Sequence, residues 1–253
     1  MSSFSVATCP AYRPSCSILG ACIIGCSLLW ASGCGSLAAE GMNAEGVRLY
    51  SEARYDDAIQ EFHKALNNDA RNADGYYNLA ATYHRMGIQT GNKQYLQQAE
   101  QYYRMCQDHD PDHCHCYRGL AVLLVQQGRS EEAFHLIATW ADRQPTLAEP
   151  KIELARLYQE CGDLQAAKSH LNEAVRADPH NARALAALGS LHEQLGEQAA
   201  ALQDYQQSLA RDSAQPALAA RVATLQGGLA PAWQPGTSSG GTQMATGGGS
   251  LLR

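Results

Sequence analysis

Apolar residues in this chain recur at helical spacing, in pairs of stretches parted by a glycine. In AEPKIELARLYQECG, Leu154, Ala155 and Tyr158 stand at i, i+1 and i+4, along one face of a helix. In the DLQAAKSHLNEAVRADP that follows, Ala167, Leu171, Ala174 and Val175 carry an apolar face through i, i+4, i+7 and i+8. Small residues such as Ala155 and Ala167 suit a helix crossing, where a larger side chain would hold the backbones apart. Asp178-Pro179 closes the pair, because proline cannot continue the helical ladder and restricts the residue before it.

This unit repeats. Ala58, Ala99, Ala133, Ala167 and Ala201 are separated by 41, 34, 34 and 34 residues. Leu79, Leu120, Leu154 and Leu188 step by 41, 34 and 34, as do the turn glycines Gly87, Gly128, Gly162 and Gly196. Pro111, Pro145 and Pro179 step by 34. Independent columns that share one period mark a stacked-repeat architecture. The single long step locates a seven-residue insertion, IQTGNKQ at 88–94, which is expected to be a surface loop. After the last unit, Leu218, Val222 and Leu225 share a face between Pro216 and Gly227 and predict a capping helix over the open end of the stack. The Gly/Ser/Thr/Pro-rich residues 228–253 have little apolar material to offset ordering entropy, and a disordered tail is expected there.

These residues and their spacing resemble the tetratricopeptide repeat: ARNADGYYNLAATYHRMG and HNARALAALGSLHEQLG are similar to its first helix, and YDDAIQEFHKALNND to its second. The resemblance implies an all-α fold, a right-handed α-solenoid of five helix-turn-helix repeats at 39–72, 73–113, 114–147, 148–181 and 182–215, with the capping helix at 216–227. It departs from the usual pattern at Ala70 and Ser213, where proline is customary. In this family the first helix of each pair lines a concave groove that holds a partner's helix or extended segment. The matching positions are Tyr50, Tyr77, Ala81, His84, Arg118 and Val122 in the first three units. Val125 follows in the third, then Ile152, Arg156, Gln159, Ser190 and Glu193 in the last two. Tyr77, Val122, Val125 and Ile152 point off the stripe of Leu79, Leu120, Leu124 and Tyr158, so an apolar contact patch is expected in mid-groove. Arg118 and Arg156 offer bidentate hydrogen bonds to a partner's carboxylates, against the plainer reading of solvated surface arginines. The lysine and asparagine with which some family members grip a chaperone's carboxyl terminus are Asn43 and Val47 here, so that activity is not implied.

The N-terminus has its own pattern. Residues 1–33 hold no acid and one base, Arg13, followed by the apolar run SILGACIIGCSLLW, the order of an export signal. The run is 14 residues long, short of the roughly 20 that a membrane-spanning helix needs. Ala31-Ser32-Gly33-Cys34 resembles the lipobox of bacterial lipoproteins, which makes 1–33 a signal peptide, Cys34 a lipidated anchor and 34–41 a tether; IIGC ending at Cys26, or plain cleavage near ASG or SLAAE, are the competing readings. The resemblance implies a repeat domain outside the cytoplasm, with the outer membrane favoured by Gly35.

Composition narrows the partners. The net charge is −6 and no lysine/arginine run occurs, which argues against nucleic acid. The expected partners are envelope proteins or peptides, with the membrane reached through the lipid, and self-association through an open solenoid end as a further reading. No GxSxG, Walker loop, HExxH or nucleotide-binding glycine loop occurs, so no enzyme is expected. One segment, HDPDHCHC with His109, His113, Cys114, His115 and Cys116, holds metal-ligand types, yet Cys-His-Cys lacks the C-x(2–4)-C spacing of structural zinc. A turn is the expectation there, no metal or cofactor is assigned, and a metal or redox protein using this cluster is the rival reading. Whether Cys106, Cys114, Cys116 and Cys161 pair depends on distances that the sequence does not give.

Overall fold

The structure is a computed structural model that describes residues 31–229, and these form eleven helices and no strand. Five antiparallel pairs follow one another: α1 (Ala31–Ser51) with α2 (Tyr55–Asn68), α3 (Ala73–Thr90) with α4 (Lys93–His109), and α5 (Cys114–Gln126) with α6 (Ser130–Arg143). Then come α7 (Glu149–Glu160) with α8 (Leu164–Ala177), α9 (Ala182–Gln194) with α10 (Gln198–Arg211), and the single α11 (Pro216–Leu229). The signal peptide expected at 1–33 lies almost wholly outside the described residues, as does nearly all of the tail. The stretch expected to be a tether, 34–41, is helical and continues α1, and the capping helix ends at Leu229. Among the described residues no helix is long and apolar enough to cross a membrane.

Local chemistry explains the pairs. Helix starts are capped in register: Asn72 accepts from the Gly75 amide (2.6 Å) and Asn181 from the Ala184 amide (3.0 Å). Each cap satisfies a backbone donor that the helix itself leaves orphaned. Inside a pair the second helix packs an i, i+4, i+7 stripe: Ala58, Phe62 and Ala65 on α2, Ala133, Ile137 and Trp140 on α6, Ala167, Leu171 and Ala174 on α8, all fully buried. The leucine column Leu79, Leu120, Leu154 and Leu188 is buried opposite.

The turn between paired helices needs a left-handed residue. Gly128, Gly162 and Gly196 supply it with φ of 77°, 81° and 78°. In the first unit the same place is taken by Ala53, at φ 60°, a conformation that costs a side-chain-bearing residue about 1 kcal/mol.

The insertion at 88–94 is not a loop, and Gly87 is not a turn. α3 runs on to Thr90, Gly91 takes the left-handed position (φ 68°), and α4 starts at Lys93. Seven residues amount to about two helical turns. Shared between α3 and α4, one turn each, they lengthen the hairpin while leaving both apolar faces in register. Gly87 is buried mid-helix, where any Cβ would overlap the Leu96 side chain.

Successive pairs stack so that first helices touch the next first helix, α3 against α5, α5 against α7 and α7 against α9. Successive second helices do not approach as closely, so the stack curves with its first helices on the inner side. α11 covers the last pair through Val222 and Leu225 against Ala201 and Tyr205.

Candidate functional site: the inner face of the first helices

The residues expected in the groove divide into two sets. Tyr77, Ala81, His84 and Ile152 are 4%, 2%, 0% and 4% exposed, so the apolar mid-groove patch expected around Tyr77 and Ile152 is packed away between neighbouring units. The physical reason is that α3, α5 and α7 approach one another directly, and a large side chain between them is covered from both sides. Tyr50, Arg118, Val122, Val125, Arg156, Gln159, Ser190 and Glu193 remain half-buried along the inner face. Of these, Glu193 is engaged by Arg221 from α11, and Tyr50 lies edge-on to Tyr55 at 5.5 Å.

His84 is a packing residue. Its ring nitrogens meet the Tyr103 hydroxyl (3.3 Å) and Gln126 Oε1 (2.8 Å), and burial holds its pKa below the usual histidine value.

The densest polar structure on this face is one that the sequence did not single out. Glu153 on α7 is 1% exposed and is surrounded by three guanidiniums from three successive units. Arg118 Nε donates to its Oε1 at 2.7 Å, Arg156 Nε to its Oε2 at 3.0 Å, and Arg183 Nη2 to Oε1. Burial pushes this carboxyl up, but Arg183, Arg118 and Arg156 outweigh burial and hold it at about 2. A buried carboxylate is tolerated where its charge is neutralised and its lone pairs are satisfied. The cluster also ties units three, four and five together. A faint signal for Glu153 does exist in the sequence: one repeat away on either side stand Gly119 and Ala187, although the second unit holds the polar Asn78 in the same column. Arg183 shares its column with Asp74, His115 and Glu149, which shows no comparable bias.

The His/Cys segment resolves differently. Cys106 near the end of α4 and Cys116 in the first turn of α5 form a disulfide with Cα atoms 6.3 Å apart, and both residues are fully buried. Cys161 is an exposed free thiol. Among the described residues, Cys106, His113 and Cys116 bring three ligand-type atoms within 4.8 Å of one another. They do not form a usable donor set. The two sulfurs are bonded to each other, and both nitrogens of His113 are engaged: Nδ1 accepts from the Cys116 amide at 3.3 Å, and Nε2 lies 3.0 Å from Asp74 Oδ1. His113 is therefore the N-cap of α5, doing for this unit what Asn72 and Asn181 do for theirs. His109 stacks on Tyr76 at 4.9 Å, and His115 leans on Tyr77 at 5.6 Å. The segment is a cross-linked inter-unit turn.

Comparison with known proteins agrees with this geometry. Residues 46–87 match the TPR repeat family, and residues 152–216 match the tetratricopeptide repeat family. The chain carries tetratricopeptide repeats. A stretch of 98 residues is 33% identical to tetratricopeptide repeat protein 8 of Mus musculus, covering 39% of this chain and 18% of that protein. The human protein of the same name is 32% identical over 98 residues, with 17% of its length covered. The chain thus spans less than a fifth of the length of these curated relatives. Among solved structures, the tetratricopeptide-repeat protein TTC0263 of Thermus thermophilus is similar in fold, with a TM-score of 0.57, 22% identity, and coverage of 75% of this chain and 99% of that one. The fold is an α-solenoid of tetratricopeptide repeats.

Proposed function

We propose that this protein is a non-enzymatic interaction scaffold of the bacterial cell envelope, which docks an envelope protein or peptide along the inner face of its first helices. It is held to a membrane by a lipid on Cys34, with its repeats outside the cytoplasm. The observation that supports docking is the half-buried row Arg118, Val122, Arg156, Gln159 and Ser190, presented by successive rigid helices on the curved inner side. A continuous face of mixed apolar and bidentate polar groups suits an extended or helical segment better than a small molecule.

Placement outside the cytoplasm is supported from two separate directions. One is the acid-free, apolar N-terminal stretch that ends in ASGC. The other is the buried Cys106–Cys116 disulfide, a bond that persists in oxidising compartments and is rare in a reducing cytosol. The rival metal-handling reading is opposed by the engaged nitrogens of His113.

Two measurements test the proposal. A tagged full chain is used to capture partners from envelope extract beside a variant carrying Val122→Glu and Gln159→Glu, with circular dichroism to establish that both are folded. A partner captured by the first and lost from the second supports the groove; equal capture by both removes it. For the anchor, Cys34→Ser is expected to move the protein from the membrane fraction to the soluble envelope fraction while Cys26→Ser stays bound, and the reverse pattern would reassign the lipid to Cys26.

A further inference from the structure

The arginines around Glu153 outnumber the carboxylates that hold them. Glu153 Oε1 is shared by Arg118 and Arg183, and Oε2 goes to Arg156, whose Nη1 turns away to Glu160. Of the N–H groups of Arg118 and Arg183, only Nε of the first and Nη2 of the second meet a protein acceptor among the described residues. Their side chains are 32% and 37% exposed. Two guanidinium forks are thus pinned at one end by a buried carboxylate and open at the other, in a protein whose net charge is −6.

We propose that Arg118 and Arg183, fixed by Glu153, form a subsite that reads the carboxylates of an acidic, extended segment of a protein partner. This rests on the groove being the docking face and adds the chemistry of what docks. Arginine pairs with carboxylate through two parallel hydrogen bonds, and a fork already immobilised by Glu153 loses less freedom when it does so. The local positive field is felt by a neighbour: burial first, then Arg118, His113 and Arg183, push the His115 pKa down. Phosphate-rich surfaces share the anionic chemistry, but a chain that is acidic overall is repelled from them at long range, whereas a short acidic peptide meets the arginines locally. An acidic peptide is therefore the occupant.

The test is fluorescence anisotropy on the full chain with a labelled oligo-glutamate peptide, and with an oligo-glutamine peptide of equal length as the uncharged control. Oligo-glutamate is expected to bind, to weaken as salt rises, and to bind at least tenfold more weakly to Arg183→Gln. Arg118→Lys is expected to fall between Arg183→Gln and the unaltered chain, because it keeps the charge and loses the fork; circular dichroism checks that both variants fold. Equal binding of the two peptides to the unaltered chain would overturn the carboxylate reading while leaving the docking groove standing. No binding of oligo-glutamate, or binding that Arg183→Gln leaves unchanged, would overturn the subsite itself. Phosphatidylglycerol vesicles are included as a competitor: if they bind the chain and displace oligo-glutamate through the same arginines, the subsite reads phosphate and the proposal is wrong.

Discussion

Cys106 is bonded to Cys116 across the junction of the second and third repeats, with Cα atoms 6.3 Å apart and both side chains buried. The bond closes a loop with a sequence separation of 10 residues, and closing a loop of that size removes about 2 to 3 kcal/mol of freedom from the unfolded chain. It also fixes His113, whose ring caps α5 and whose neighbours include Tyr77.

The first prediction follows from that bond. Cys106→Ser with Cys116→Ser, or treatment with reductant, is expected to lower unfolding stability by about 2 to 3 kcal/mol and to leave the helical content of the folded state unchanged. Chemical denaturation followed by circular dichroism measures this. The same samples are dialysed against zinc and assayed by elemental analysis: with His113 engaged at both nitrogens, neither the oxidised chain nor the double serine variant should retain the metal.

A second prediction concerns acid. Glu153 is held at about 2, against an ordinary glutamate value of 4.5. A depressed carboxyl contributes stability that is fully present above its unfolded value and lost as pH falls through its folded value. The Glu153 contribution is therefore expected to disappear between about pH 4.5 and pH 2. A shift of this size corresponds to about 3 kcal/mol. Thermal melts across that range should show a steep loss of melting temperature in the unaltered chain and a shallower one in Glu153→Gln. Equal slopes would mean that other carboxylates govern the acid limb. At neutral pH Glu153→Gln should be the less stable protein by a few kcal/mol, because three guanidiniums lose the negative charge they share and one of its two accepting oxygens.

Much of this architecture is written in the sequence, and the exceptions are instructive. Column spacing alone gave five helix pairs, because a repeat whose apolar faces must bury against identical neighbours fixes its own period. It misassigned Gly87, since the glycine column cannot tell a turn from a close helix contact once an insertion has shifted the turn to Gly91. It placed Tyr77 and Ile152 on an open face, because repeat register says which way a residue points and not how closely the next unit covers it. The disulfide is not legible in the sequence, since the approach of Cys106 to Cys116 depends on where α4 ends and α5 begins. Glu153 does not stand out in the sequence because a glutamate on a helix is ordinarily solvated; its neighbours in the column, Asn78, Gly119 and Ala187, are uncharged but otherwise unlike one another.

Gly87 supplies the third prediction. Gly87→Ala places a methyl group against Leu96 in a buried contact between α3 and α4, and overpacking of this kind costs about 1 to 3 kcal/mol. Were Gly87 instead an exposed turn residue, alanine would cost far less than that in packing. The discriminating companion is Gly91→Ala, which meets no neighbouring atom but sits at φ 68° and should cost about 1 kcal/mol through backbone strain alone. Denaturant midpoints of the two variants, together with Leu96→Ala in the Gly87→Ala background, separate packing from strain: the second substitution should recover stability only for the packing defect.

The last prediction runs in the stabilising direction. Ala53 occupies the turn position that Gly128, Gly162 and Gly196 hold in later repeats, and it does so at φ 60°. Glycine reaches that conformation without the clash between Cβ and the following carbonyl. The gain is partly offset because glycine leaves the unfolded chain with more freedom to lose. The net expectation for Ala53→Gly is a stabilisation of up to about 1 kcal/mol, confined to the first repeat. Native-state hydrogen exchange is the suitable readout, since opening of a terminal repeat is local and need not appear in a global melt. Amides of α1 and α2 should exchange more slowly in Ala53→Gly while those of α7 and α8 are unchanged. If the α2 amides exchange faster instead, the backbone freedom of glycine outweighs the relieved strain, and Ala53 is the better residue at its turn.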